Sequence, residues 1–550
     1  MPSTDPGEPE ESPAAQVADG LIMPPPMSAE HGIGDEQEVM SAGNLQQRAV
    51  QGAAWTVINT FVGIPIAFGV NLVVARVLGA ADYGRLALLT ALMEFVSAVL
   101  TRGVATAVIQ FGSKAHAAGR TADVARLLSQ WQGFRLLVAM PVLGAVVFVV
   151  ADVPPEAMVL ALVFGVVLPA ALDGGAACLG IENKTADGAK IALLTTLITQ
   201  VAVLAVAWLA RTPDAVWATR LVVSGSTVAL CLFRISPAYR VAVLRPMLPR
   251  GLPPGFWAFA VPMGLAGVVS GLISSRSEVF VMSWLAEPAA LGIYALAFGL
   301  AVHAFAPAQA LVGPLIPAIS GLREVDEGAV RPAFRRVTRA GSTVVALILS
   351  TALAPLALLV PLLYGAEFEE ASPVVLALGI TAGLATVGGP IFAFVSARLS
   401  GKAILAANLI ALVVDIGLAI LLIPILSTWG AVIANAGGAV TTLTILGTRE
   451  LRALGLPART ALRDASPAVI GSVCSAVVFV AGAQAHAPVV VRAVGAGLAG
   501  GLLCIAIMRV LRVGLTSEDR GAVGRAIPSR AGRVADLLLR WVSVPDRRVT

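Results

Sequence analysis

Ionisable side chains lie inside otherwise apolar stretches of this chain, where charge is costly to bury. Two are arginines, Arg102 and Arg276, whose planar guanidinium groups suit the oxygens of a phosphate. The titratable ones are Glu94, Glu278, His303 and Asp415. Intramembrane groups of these types bind polar or anionic ligands, or carry protons. The pattern therefore indicates a polar site within an apolar scaffold.

The composition explains what that scaffold is. Of the 550 residues, 57% are hydrophobic and 13% are charged, and the mean hydropathy is +0.86. Soluble domains carry about a quarter charged residues. The apolar content is mainly small and aliphatic, with 5% aromatic residues, which favours close packing of helices in lipid. The sequence therefore predicts an integral membrane protein.

Apolar segments follow one another along the chain with short connections. Each has the roughly twenty residues needed to cross the hydrocarbon core, and only helices satisfy the backbone there without closing a barrel. We therefore predict an all-α membrane fold of about fourteen transmembrane helices, kinked at internal prolines such as Pro141 and Pro169. The predicted spans are 50–75, 85–109, 131–151, 157–180, 190–210, 215–236, 256–285, 290–318, 340–363, 372–397, 403–425, 429–448, 465–485 and 488–510.

The distribution of Lys and Arg predicts the orientation. With a cytoplasmic N-terminus, 31 basic residues fall inside and five fall outside. Such a bias is typical of cytoplasmic loops. It predicts an even number of helices, cytoplasmic termini and a location in the plasma (inner) membrane. The five predicted external arginines are Arg76, Arg85, Arg211, Arg220 and Arg492.

Two tails flank the spans. Residues 1–47 hold nine acidic residues and no Lys or Arg, which predicts a disordered cytoplasmic tail and excludes a signal peptide. Residues 512–550 are basic and are expected to lie on the anionic cytoplasmic leaflet.

An internal repeat relates the first span to the seventh. Arg76-Val-Leu-Gly-Ala-Ala-Asp-Tyr-Gly84 follows the first span, and Leu291-Gly-Ile-Tyr294 follows the seventh; aligning Gly84 with Gly292 gives an offset of 208. Parallel repeats often enclose a transport site at their interface. We predict one six-helix lobe at 48–250, a second at 251–455, and two additional helices at 456–511.

These segments resemble the oligosaccharide flippases of the multidrug/oligosaccharidyl-lipid/polysaccharide exporter superfamily. The first matches the link R-x-L-G-x-x-x-Y/F-G, and Leu362-Leu-Tyr-Gly-Ala-Glu-Phe368 matches the short external segment L-Y-G-x-x-F. The resemblance covers about 45–510. It implies two pseudo-symmetric six-helix lobes in a V shape, alternating access and a cavity lined by helices 1, 2, 7 and 8.

The resemblance implies a lipid-linked oligosaccharide as the substrate, with its anionic head group in a wet, cationic passage. Arg276 and Arg102 are then the candidate phosphate ligands. Arg102 is equally well placed to reach the cytoplasmic interface, and the lesser alternative for Arg276 is a salt bridge that holds helices together. Further cavity candidates are Glu278, Glu94, Asn59 and Ser274. His303 and Asp415 are candidates for ion coupling, with a satisfied core histidine as the alternative for His303.

Other classes of protein remain as alternatives. An ion-coupled drug or cation antiporter of the same superfamily would use acidic groups without cavity arginines. A membrane-embedded glycan polymerase would need a large external loop, which the sequence lacks, and a scaffold would act through its tails. We expect a monomer that is not an enzyme, without cofactor, metal or nucleic-acid partner, working beside glycosyltransferases or a polymerase of the same pathway.

Overall fold

The computed structural model describes residues 42–275, 277–309, 315, 319–320, 322–323, 325–398 and 401–516, and their regular structure is helical. The helices are α1 (Ala42–Ala117), α2 (Thr121–Val150), α3 (Pro155–Ile181), α4 (Thr185–Ala210), α5 (Pro213–Phe233), α6 (Pro237–Leu244), α7 (Phe256–Ser275), α8 (Ser277–Leu285), α9 (Pro288–Gln309), α10 (Glu327–Tyr364), α11 (Ala371–Ala397), α12 (Gly401–Leu426), α13 (Thr428–Ala453), α14 (Ala458–Gln484) and α15 (Val489–Leu511). The predicted all-α membrane fold is confirmed.

Twelve helices in the described ranges are long and apolar enough to cross a membrane. One of them, Phe61–Ala117, has 57 residues and is broken at Gly79, so it covers most of the first predicted span and all of the second. The predicted seventh span corresponds to α7 and α8, of which Phe256–Val269 is a shorter apolar helix. The count of fourteen therefore stays a prediction.

Proline fixes both the starts and the bends of these helices. Pro155, Pro213 and Pro237 stand in first turns, where a missing N–H costs nothing. Wider π-helical turns at Arg135–Ala139, Ala161–Val167 and Leu349–Leu353 each contain the residue four positions before an internal proline. The proline ring clashes with that residue's carbonyl, and the widened turn relieves the clash. The predicted kinks at Pro141 and Pro169 thus have a physical cause.

We call residues 48–250 the N-half and residues 251–455 the C-half, as the repeat predicts. One apolar core lies within the N-half around Trp217 and Val74. A second core surrounds Tyr294 and Phe305 of the C-half and also contains Ala75, Ala80 and Ala91 of the N-half. The segment between α10 and α11, which is predicted to be external, inserts Phe368 into this second core. The second core therefore joins the two halves.

The last two helices pack on the C-half. An added Cβ at Gly471 of α14 would lie 2.6 Å from the Cα of Ala346, and one at Gly497 of α15 would lie 2.7 Å from the carbonyl oxygen of Thr351. Both contacts are with α10, and small residues allow this close approach of helices. Most of the predicted tails, at 1–41 and 517–550, lies outside the described residues. Residues 42–47, which were predicted to belong to the disordered tail, are helical and form the start of α1.

Candidate functional site

A cavity of about 750 Å³ lies between the N-half and the C-half. Helices α1 and α5 form one wall, and α8, α9, α11 and α13 contribute to the opposite wall. Its polar lining comprises Asn71, Tyr83, Thr90, Glu94 and Arg220 from the N-half and His303, Gln309, Thr381, Asn435 and Thr442 from the C-half. A space with polar groups on both walls can hold a polar ligand away from lipid.

Arg220 is the cationic side chain that the sequence analysis placed incorrectly. It lies eight residues into α5 and lines the cavity, instead of belonging to an external loop. Its Nη2 donates a hydrogen bond to Oδ1 of Asn71 at 3.1 Å, and Glu94 lines the same cavity. Pro213 could have given the signal, because a helix starting there carries Arg220 two turns into the membrane.

Glu94 of the N-half and His303 of the C-half line opposite walls of this cavity. Glu94 is exposed on the α1 wall, one turn after Thr90. His303 Nδ1 lies 2.5 Å from the carbonyl oxygen of Gly299, and a carbonyl can only accept, so this nitrogen carries the hydrogen. The other ring nitrogen, Nε2, is left as the one able to exchange a proton or bind a ligand.

Two carboxylates meet beside the cavity in a cluster of Ser277, Glu278, Asp415 and Asn435, which we call the carboxylate cluster. Glu278 and Asp415 are 0% and 1% exposed. The Ser277 hydroxyl is in hydrogen-bond contact with Oδ2 of Asp415 and lies 3.2 Å from Oε2 of Glu278. Asn435, which also lines the cavity, donates to Oε1 of Glu278 at 2.7 Å. The cluster thus connects directly to the cavity wall.

The other predicted residues lie apart from the cavity or outside the described part. Arg102 is exposed and its Nη1 donates to the carbonyl oxygen of Gly267 at 3.3 Å, so it joins α1 to α7. Asn59 is near Gly63 and outside the cavity lining. Arg276 and the side chain of Ser274 fall outside the described residues. Their roles as ligands stay predictions.

No three His, Cys, Asp or Glu side chains come together as metal ligands within the described ranges. The four cysteines, Cys178, Cys231, Cys474 and Cys504, are buried and unpaired.

The halves touch at both ends of the cavity. At the end predicted to be external, an added Cβ on Gly84 would lie 2.5 Å from the carbonyl oxygen of Pro288 and 2.7 Å from the nitrogen of Gly292. These are the two glycines that the repeat aligns. At the predicted cytoplasmic end, a Cβ on Gly103 would lie 2.6 Å from the Cα of Gly264. Only glycine allows backbones to meet this closely.

Sequence comparison identifies the family. The pattern of the family described as "Polysaccharide biosynthesis protein" matches residues 73–373, which include the first wall of the cavity apart from Asn71 and the contact between Gly84 and Gly292. This chain belongs to that family. A search of curated proteins found no significant match to this sequence.

Two solved structures show the fold that the family member shares. The lipid II flippase MurJ in an inward closed conformation is 15% identical, with a TM-score of 0.58 over 83% of this chain and 99% of that one. An inward-facing MATE multidrug resistance transporter of the MOP superfamily is 13% identical, with a TM-score of 0.54 over 70% and 94%. The family member therefore has the MOP superfamily fold, as the motifs predicted.

Proposed function

We propose that the protein is a flippase for a polyprenyl-diphosphate-linked oligosaccharide, moving it from the inner to the outer leaflet of the plasma membrane. The observation that supports this most directly is the cavity between the halves, with Arg220 on its wall. The family's role in polysaccharide biosynthesis and the likeness to a lipid II flippase agree with it. The translocated oligosaccharide would serve cell-surface polysaccharide or cell-wall glycan synthesis. The chain itself would make or break no bond.

The three parts of such a substrate need three environments. Its polyprenyl tail can remain among the lipid chains, whereas its diphosphate and sugar lose hydration unless the protein replaces it. Arg220 offers a fork of N–H donors to phosphate oxygens. Asn71 and Asn435 offer both donors and acceptors to sugar hydroxyls. The cavity thus substitutes for water around the head group during the crossing.

Transport follows if the two end contacts open alternately. Separation of Gly103 from Gly264 would admit the head group from the cytoplasmic side, and separation of Gly84 from Gly292 would release it outside. Rocking of one repeat against the other opens one contact as it closes the other. We assign the Gly103–Gly264 contact to the cytoplasmic end and the Gly84–Gly292 contact to the outer end from the predicted orientation, in which both termini are cytoplasmic.

The carboxylate cluster supplies a means of coupling to a proton gradient. Ser277 has one hydroxyl hydrogen, yet its oxygen lies within hydrogen-bond distance of the Leu272 carbonyl oxygen, at 3.0 Å, and of the carboxyls of Glu278 and Asp415. A second proton, on Oδ2 of Asp415 or Oε2 of Glu278, lets that carboxyl donate to the Ser277 oxygen while Ser277 donates elsewhere, and it avoids two buried negative charges. Oδ1 of Asp415 is buried without a hydrogen-bond partner among the described groups, which makes a charge on that carboxyl costly. Release and uptake of the second proton would change the charge behind Asn435 on the cavity wall.

Asp415→Asn should therefore uncouple transport from a pH gradient. We expect gradient-driven flipping in proteoliposomes to fall about tenfold, within the usual range of coupling free energies, whereas exchange without a gradient persists. Exposed Glu156, converted to Gln, is the control and should behave as wild type. If a sodium gradient drove flipping as well as the pH gradient does, the proposal that a proton is the coupling ion would be contradicted.

The proposed function itself is tested by reconstitution. The purified chain, in liposomes that contain a fluorescent diphosphate-linked oligosaccharide in both leaflets, should make the inner-leaflet pool accessible to a membrane-impermeant quencher added outside. A cationic dye in place of the lipid tests the alternative, a drug antiporter, which the exposed Glu94 and the MATE-like fold favour. Dye exchange without flipping would overturn the flippase proposal. Loss of both activities would point to a polymerase or a scaffold.

A further inference from the structure

At the outer contact between the halves, a side chain of the C-half caps the start of a helix in the N-half. Oε2 of Glu367, from the external segment of the C-half, accepts a hydrogen bond from the backbone N–H of Ala80 at 3.1 Å. Ala80 is the first residue after the break at Gly79, where the second arm of α1 begins. A carboxylate is a favoured partner for the N–H groups and positive dipole at such a helix start.

The break at Gly79 is shaped to admit this carboxylate. Gly79 has φ of +77°, a conformation that favours glycine, and an added Cβ would lie 2.5 Å from Oε2 of Glu367. Any side chain at position 79 would thus strain the backbone and displace the cap. The glycine of the first family motif and the acidic residue of the external segment therefore depend on each other.

Neighbouring contacts place the cap at the junction of the halves. Tyr83 of α1 packs edge-on against Phe368, with ring centroids 6.3 Å apart, and the Gly84–Gly292 contact is one residue further on. Opening of the outer end would separate all three contacts. The helix start at Ala80 would then lose its partner and would need water in its place.

We propose that Glu367 is a positioning residue that stabilises the outward-closed state by capping the second arm of α1 from the opposite half. The cap is absent once the halves part, so it biases the cycle toward closure of the outer end. This inference rests on the proposed transport cycle for its purpose, but the closure can be measured without any lipid-linked substrate.

The test measures access to the cavity from each side of the membrane. Ala87 lines the cavity, and the native cysteines are buried, so Ala87→Cys provides a reporter with little background. In right-side-out vesicles, Glu367→Ala should raise labelling of this cysteine by an impermeant maleimide about fivefold, the ratio expected for loss of a cap. In inside-out vesicles labelling should fall or stay constant. The matched control is Glu370→Ala, an exposed carboxylate of the same segment.

The conservative variant separates the hydrogen bond from general packing. Glu367→Gln keeps an acceptor for Ala80 and should label within about twofold of the parent. Labelling by Glu367→Ala that matches the parent, rises equally from both sides, or is equalled by Glu367→Gln would overturn the proposal. If Glu367→Ala raises labelling from outside but the parent chain flips no lipid, the capping role of Glu367 stands and the proposed flippase function is rejected.

Discussion

Arg220→Ala should lower the rate of head-group flipping by about ten- to a hundredfold. The Arg220 guanidinium lines the cavity and is the phosphate ligand that we propose, and hydrogen bonds to charged groups contribute about 1.5–3 kcal/mol. Arg220→Lys should have an intermediate rate, because the ammonium keeps the charge without the bidentate geometry. Initial rates in proteoliposomes, normalised to the amount of folded protein, measure the effect.

The control for this prediction is Arg211→Ala. Arg211 ends α4 near the same face of the membrane and is exposed. It carries the same charge without facing the cavity, so its loss should leave the rate within about twofold of wild type. Equal losses in both variants would mean that the total positive charge near this face matters, and not the position of Arg220. Flipping at the wild-type rate by Arg220→Ala would show that Arg220 does not bind the head group.

Gly292→Val should prevent closure of the outer end. A Cβ at this position overlaps the carbonyl oxygen of Ala80, and neither backbone can move without shifting a whole helix. Overpacking of this kind costs about 1–3 kcal/mol, so we expect flipping to fall about ten- to a hundredfold and the cavity to become more accessible from outside. Maleimide labelling at Ala87→Cys and the flipping rate report the two effects.

Gly417→Val is the matched substitution. Gly417 lies in α12, and an added Cβ there meets nothing within 4 Å, so this variant makes the same change of side chain in a helix without the steric clash. This variant should flip at the wild-type rate. Normal flipping by Gly292→Val would show that the glycine contact can open without affecting the cycle.

The sequence was sufficient for the fold because lipid leaves few choices to an apolar segment. Length and hydropathy placed most spans, and the motif around Gly84 predicted the superfamily. The repeat also aligned Gly84 with Gly292, which the structure brings into contact. The repeat predicted that the two glycines occupy equivalent positions in the halves, and their contact was found only in the structure.

The site was harder to predict because its partners are distant in sequence. Asp415 and Glu278 were both recognised as intramembrane acids, but Ser277 and Asn435, which join them to the cavity wall, are 138 residues from Asp415 and 157 residues from Glu278, respectively. Arg220 was counted as external because the charge bias treats every arginine near a helix end as a topological signal. Depth within the membrane decides its role, and depth depends on where the helix begins.

The docking of α14 and α15 on α10 has a mechanical consequence. Because these helices pack on the C-half through Ala346 and Thr351, they must travel with it as one body when the halves rock. Anything fused after Leu511 would therefore follow the motion of the C-half alone. A fluorophore there, paired with one on the N-half, would act as a ruler for the transport cycle.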